Sequence, residues 1–240
     1  MRIVIDIIYL ISSVFFIFGI RYLSSPKTAR KGNLFASIGM FLAIVITLFD
    51  KQVLTFEWII VGVIIGSAIG TIMAMKIPMT GMPQMVGMLN GFGGGASTLV
   101  ALAEYYKMNP NIPINTGIAT VLSLLIGGVT FTGSMIAFGK LQGIVSGKVI
   151  KYPGQHPLNA LLLLLVIIGG IFVIIHPELS TLTVIITIAS LILGILLVLP
   201  IGGADMPVAI SLLNSYSGLA GSTTGFILQH NELIIAGALV

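Results

Sequence analysis

Residues Met79–Ala96 read MTGMPQMVGMLNGFGGGA, a glycine-dense run with one asparagine, Asn90, inside an apolar stretch long enough to cross a membrane. Glycine at this density lets helices touch backbone to backbone, and an uncharged polar group at mid-membrane depth needs a partner or a task. A second stretch, Gly202–Gly218, reads GGADMPVAISLLNSYSG and sets Asn214 in a comparable frame. Together they point to a polar, close-packed pathway through a bilayer, built of helices.

Composition agrees with a membrane reading. The 240 residues are 57% hydrophobic and only 8% charged, with a mean hydropathy of +1.14, whereas soluble domains carry roughly a quarter charged residues. Apolar runs of about 20 residues recur along the chain, the length that spans about 30 Å of hydrocarbon. The first, Ile3–Ile20, lacks a small-x-small cleavage site and reads as a retained helix, not a signal peptide. The absence of cysteine excludes disulfides and thiolate metal sites. No metal ligand set is expected. The net charge of +4 is no nucleic-acid signature, because the basic residues sort by membrane side.

Nine apolar segments can be drawn, at about 3–23, 33–50, 55–75, 82–104, 115–139, 158–175, 179–199, 206–228 and from about 232 on. The fold class is therefore an all-α polytopic transmembrane bundle of about nine helices, one membrane domain over 1–240. Only the link between the fifth and sixth segments exceeds a dozen residues, so no extramembrane domain fits inside. Basic residues set the orientation. Arg21, Lys27, Arg30, Lys31, Lys76, Lys140, Lys148 and Lys151 fall on one side, against Arg2, Lys51 and Lys107 on the other. This puts the N-terminus outside and the C-terminus in the cytoplasm. The final apolar run is too short to cross, so a continuation downstream is expected.

The segments differ in kind. The sixth and seventh are almost uniformly Leu, Ile and Val and read as lipid-facing. The third repeats small residues at Gly62, Gly66 and Gly70, a close-packing face. Segment five places Thr120, Ser123, Gly127, Thr130, Ser134 and Ala137 on one face at steps of three and four. Segment eight does so with Ser211, Ser215, Gly218, Ser222 and Gly225, Asn214 adjoining, and segment four with Pro83, Gly87, Asn90, Gly91, Gly94 and Thr98. Two readings stand: tight packing, with hydroxyls bonded back to their own helices, or three faces enclosing a narrow polar lumen. The expected packing residues are Gly62, Gly66, Gly70, Gly91, Gly94 and Gly218.

Mid-membrane charge costs about 2.5–3.5 kcal/mol per residue on insertion scales, and the acidic residues obey this. Asp6, Asp50, Glu57, Glu104, Glu178, Asp205 and Glu232 all lie near segment boundaries. Asp205 differs in opening segment eight after Gly202-Gly203, with Pro207 two residues on. It is either a helix cap or a gate group that senses or passes protons. His156, His176 and His230 all fall in loops or at helix ends. With no titratable group at mid-membrane, any proton path needs one from elsewhere. The run Gly91–Ala96 mimics a dinucleotide fingerprint but follows no strand and has no acidic residue about 20 positions on.

Met79-Thr80, Met82-Pro83-Gln84 through Leu89 and Phe92, then TGSMIAFGKL at Thr132–Leu141, and above all GGADMPVAISLLNSYSG carry a resemblance. Over nearly all its length the chain resembles the membrane domain of the beta subunit of proton-translocating NAD(P) transhydrogenases. The resemblance implies an NADP(H)-binding domain downstream and an alpha subunit bringing an NAD(H)-binding domain and further helices. Hydride would pass from NADH to NADP⁺ between the soluble domains as protons move inward, in a dimeric complex of the inner (plasma) membrane. It further implies that Asp205 couples proton movement to the NADP(H) domain, that Asn214 borders the channel, and that Ser134 lies near its cytoplasmic end.

One departure matters. Many family members carry a channel histidine at the position of Asn90, and the resemblance implies that here a partner helix supplies it. Asn90 can hold a water or orient such a group but carries no proton itself. This chain alone is then expected to hold no catalytic residue and to bind neither NADP(H) nor NAD(H). The competing expectation is a secondary transporter or channel for a small solute or ion, although no convincing inverted repeat supports it.

Overall fold

The computed structural model describes residues 2–49 and 56–240, with side chains from Val4 on; Asp50 and Lys51 lie outside the described residues. Among the described residues there are nine α-helices and no strand. They are α1 (Arg2–Leu23), α2 (Ala29–Leu48), α3 (Phe56–Lys76), α4 (Met82–Met108), α5 (Ile114–Leu141), α6 (Gln155–Ile175), α7 (Ser180–Val198), α8 (Met206–Leu228) and α9 (Asn231–Leu239). Short 3-10 turns, Met79–Gly81 and Gly203–Asp205, lead into α4 and α8.

Each expected segment is a helix, with ends shifted by a few residues. Helix α2 takes in Arg30 and Lys31, whose long stems reach water from inside the first turn. Helix α4 runs to Met108 and stops where Asn109 turns extended (φ −61°, ψ 135°), the conformation a residue before proline prefers. Seven helices, α1 to α7, are long and apolar enough to cross a membrane. The expected nine crossings reduce to seven by that measure. Helix α8 has the length, 23 residues, but its Ser, Thr, Asn and Gly content dilutes its apolarity. Helix α9 has nine residues.

The described residues divide into two compact units, one through Pro78 and one from Met79 on. In the first, α1 and α2 pack closely through small residues. The Ser12 hydroxyl donates to Gly39 O at 2.7 Å, Tyr9 and Thr47 hydroxyls meet at 2.9 Å, and a Cβ added at Gly39 would lie 3.0 Å from Ser12 O. Phe15, Phe18, Tyr22 and Phe35 form an aromatic cluster between them. Helix α3 buries no residue, and a Cβ added at Gly62, Gly66 or Gly70 would meet nothing within 4 Å. Its small-residue face has no neighbour among the described residues.

In the second unit α5 is the central helix, packed on α4, α6, α7 and α8. Glycine sets the α4–α5 distance. A Cβ added at Gly94 would stand 2.8 Å from Gly127 O and 2.9 Å from Thr130 Cβ, and one at Gly91 would lie 3.2 Å from Phe131 O. One residue before Gly94, and so turned about 100° away from this contact, a Cβ added at Gly93 would meet nothing within 4 Å among the described residues. Gly94→Ala must therefore push two backbones apart, at a cost of about 1–3 kcal/mol typical of overpacking. Gly93→Ala is expected to leave stability unchanged or slightly raised, by the helix propensity of alanine. Thermal unfolding of the two purified variants, side by side, checks this.

Candidate functional site

The polar centre of the second unit is built on Asn90. Helix α4 presents its side chain between α5 and α8, and Asn90 is buried. Its Nδ2 donates to Ser134 Oγ on α5 at 2.9 Å, and its Oδ1 accepts from Ser217 Oγ on α8 at 2.8 Å. Ser217 also reaches the Asn90 backbone carbonyl at 3.3 Å. One amide thus ties three helices. Asn90 stands eight residues into α4, about 12 Å along its axis. An amide offers two donors and two lone pairs, so half its capacity remains for a water or a further side chain.

A second polar node lies deeper along the same faces. The Ser123 and Thr224 hydroxyls meet at 3.0 Å, and Ser123 reaches Ser97 O at 3.3 Å. Between the nodes, Thr98 and Thr130 turn back to their own helices, at Gly94 O (3.0 Å) and Ile126 O (2.7 Å), beside the Gly94–Gly127 backbone contact. Of the two readings of these faces, tight packing with hydroxyls bonded back to their own helices is the one found at this level. The faces close directly on each other, because glycine backbones can approach until they touch. The Thr120 hydroxyl is buried without a hydrogen-bond partner among the described residues.

The expected faces of α4 and α5 point inward. Gly87, Asn90, Gly91, Gly94 and Thr98 are buried, as are Thr120, Ser123, Gly127, Thr130, Ser134 and Ala137, while Pro83 is exposed. The face assigned to α8 is displaced. Gly218, Ser222 and Gly225 pack on α9, where Ser222 Oγ donates to Ile234 O at 3.0 Å and a Cβ at Gly218 would lie 2.5 Å from Gly237 O. Ser211, Asn214 and Ser215 are exposed. The stripe meeting α4 and α5 is Ile210, Ser217 and Thr224, at steps of seven. Sequence reasoning missed Ser217 and Thr224, and the heptad step Ile210–Ser217–Thr224 was the signal that could have found them.

The structure brings Asn90 and Ser134 together but leaves Asp205 and Asn214 apart from them. Asp205 occupies the N-cap position of α8 without a side-chain cap hydrogen bond, and it is exposed. Of the two readings of Asp205, side-chain capping is not the one observed. The histidines stay at the ends: His156 beside Gln155, His176 Nδ1 3.1 Å from Glu178, His230 Nδ1 2.6 Å from Glu232. Glu178 is held below the usual carboxylate range chiefly by its own backbone N–H, with desolvation opposing and His176 adding to the lowering. An apolar cavity of about 400 Å³, lined by Leu125, Val129, Leu163, Leu193 and Leu219 among others, lies on the opposite face of α5 from Ser134. Its lining suits acyl chains, not polar traffic.

Known proteins carry the same arrangement of sequence. The NAD(P) transhydrogenase subunit beta of Rhodospirillum rubrum is 45% identical over 239 residues, which is 97% of this chain and 51% of the relative. Its counterpart from a named strain of that species matches to the same extent. The chain spans about half the length of these curated relatives. Residues 5–240 match the family described as NAD(P) transhydrogenase beta subunit. With a family match over nearly its whole length and relatives 45% identical, this multi-pass helical chain belongs to the NAD(P) transhydrogenase beta subunit family.

Proposed function

We propose that this chain is the proton-translocating membrane part of an NAD(P) transhydrogenase, coupling proton movement to hydride transfer between NAD(H) and NADP(H). Family membership supports the enzyme class. The observation that carries the membrane role is the buried Asn90 amide, bonded to Ser134 and Ser217 on two other helices. Such a node orients a water or an imidazole but has no titratable proton of its own.

The acid/base group then comes from a partner, which we assign to a membrane helix of the alpha subunit. Asn214, Ser211 and Ser215 support this, as polar side chains exposed on a helix of the bilayer bundle. A partner helix carrying a histidine would cover them and face Asn214. Asp205, exposed at the mouth of α8, is the coupling group toward the NADP(H)-binding domain. Both nucleotides bind outside this chain. Hydride transfer itself takes place in the soluble domains, so residues 1–240 alone catalyse nothing. The complex sits in the inner (plasma) membrane as a dimer, with this chain's N-terminus outside and residue 240 toward the cytoplasm, where the basic loops gather.

Inside-out vesicles holding the full-length subunit with its partner chains test the reading. Supplied with NADPH and an oxidised NAD analogue, they are expected to acidify their lumen, with a signal that needs both nucleotides and collapses with an uncoupler. An intact assembly without nucleotide-dependent acidification would return the chain to the transporter class.

A further inference from the structure

Lys140 ends α5 in a way the role assigned above does not use. It is the penultimate residue of the helix and only 4% exposed. Its Nζ donates to Leu199 O and Ile201 O at 2.6 Å each and to Lys148 O at 3.4 Å. An ammonium has three donors and no acceptor, and here three carbonyls take all three. No carboxylate is within ion-pair distance among the described residues. The compensation is instead the negative end of α7: Leu199 is its C-cap, and the carbonyls there lack helical partners. A buried cation held only by carbonyls is costly to keep, and its geometry fixes one particular turn.

That turn is the one leading to Asp205. The loop after α5 lies on it, with Gly203 N donating to Gly147 O at 2.8 Å and Ile150 N to Leu199 O at 3.3 Å. A Cβ at Gly203 would be 3.3 Å from Gly147 Cα. Beside Lys140, Leu141 O accepts from Gln84 Nε2 of α4 at 3.3 Å. The last turn of α5 thus touches the first turn of α4, the loop, the end of α7 and the approach to α8. Ser134 sits six residues back on the same helix, about 9 Å along its axis.

We propose that Lys140 is a positioning residue that latches the α7–α8 turn to the end of α5, so that movement at Asp205 reaches Ser134 and Asn90. The coupling half of this rests on the role given above to Asp205; the latch itself does not. Lys140→Met keeps the apolar stem and removes the donors, while Lys140→Arg keeps charge and donors.

Hydrogen exchange of the assembled full-length enzyme in vesicles reads the latch without reference to activity. Lys140→Met is expected to speed exchange at least tenfold in peptides covering 145–151 and 199–206, and Lys140→Arg by much less. The same vesicles should show fewer protons moved per NADPH oxidised in Lys140→Met. Residues 1–240 hold no cysteine, so a Gly147→Cys/Gly203→Cys pair places a disulfide across the latch with no competing thiol in this part of the protein. Oxidising it in the Lys140→Met background should restore the proton ratio, and reduction should remove it again. Unchanged exchange in Lys140→Met overturns the latch. Faster exchange with an unchanged proton ratio, or no disulfide rescue, overturns the positioning role. If Asp205→Asn alone leaves pumping intact while exchange still responds to Lys140→Met, the Asp205 reading has failed and the latch stands.

Discussion

Asn90→Leu in the assembled enzyme is expected to lower NADPH-driven acidification of inside-out vesicles at least tenfold while nucleotide binding by the soluble domains stays unchanged. Leucine fills a similar volume, so the glycine-set spacing of α4 and α5 at Gly91 and Gly94 survives. What disappears is the amide that donates to Ser134 and accepts from Ser217. Each buried hydroxyl left alone costs about 1–3 kcal/mol, less where it turns back to a carbonyl of its own helix. A barrier rise of about 1.4 kcal/mol already slows a step tenfold, so loss of a node that orients the transferred proton suffices. Unchanged pumping would remove Asn90 from the path. The companion variant Asn90→His, made together with removal of the histidine proposed above on the partner helix, is expected to recover part of the activity. Failure to recover would show that the two positions are not equivalent.

Asp205→Asn is expected to have the second large effect: a tenfold or greater loss of pumping with almost no loss of stability. The structure separates these outcomes. Asp205 makes no side-chain cap bond and is exposed, so the amide forfeits only a charge–dipole interaction of about 0.3–1 kcal/mol at the start of α8. A melting temperature within a few degrees of the parent, measured with the pumping rate on one preparation, checks both halves. A large thermal loss would mark Asp205 as a structural residue, and retained pumping would end its coupling role.

Much of this architecture was legible before any coordinates. Hydropathy gave the helices within a few residues, and the step of three and four on α5 selected six residues that are all buried. Periodicity identifies which residues share a stripe but not which neighbour the stripe meets. On α8 the densest small-residue stripe turned out to face α9, a nine-residue helix that the sequence read only as an unfinished crossing. The stripe meeting α4 and α5 begins with Ile210, and that isoleucine hid Ser217 and Thr224 behind an apolar label. Lys140 was hidden for a different reason. A lysine at a helix end ordinarily snorkels to water, and only the fold shows three carbonyls waiting for it. The repeat at Gly62, Gly66 and Gly70 was readable as a face, but nothing among the described residues meets it within 4 Å.

The modest apolarity of α8 also bears on how the protein is made. A nascent segment leaves the translocon for lipid according to its own transfer free energy, and Ser211, Asn214 and Ser215 all weigh against release. The order of synthesis answers part of this problem: α4 and α5 emerge first, and their polar faces are in place to receive Ser217 and Thr224. Among the described residues, the outward polar side chains receive no such help. A partner helix of the kind proposed above would give them that help, so α8 is expected to settle in the bilayer more fully when the partner is made alongside it.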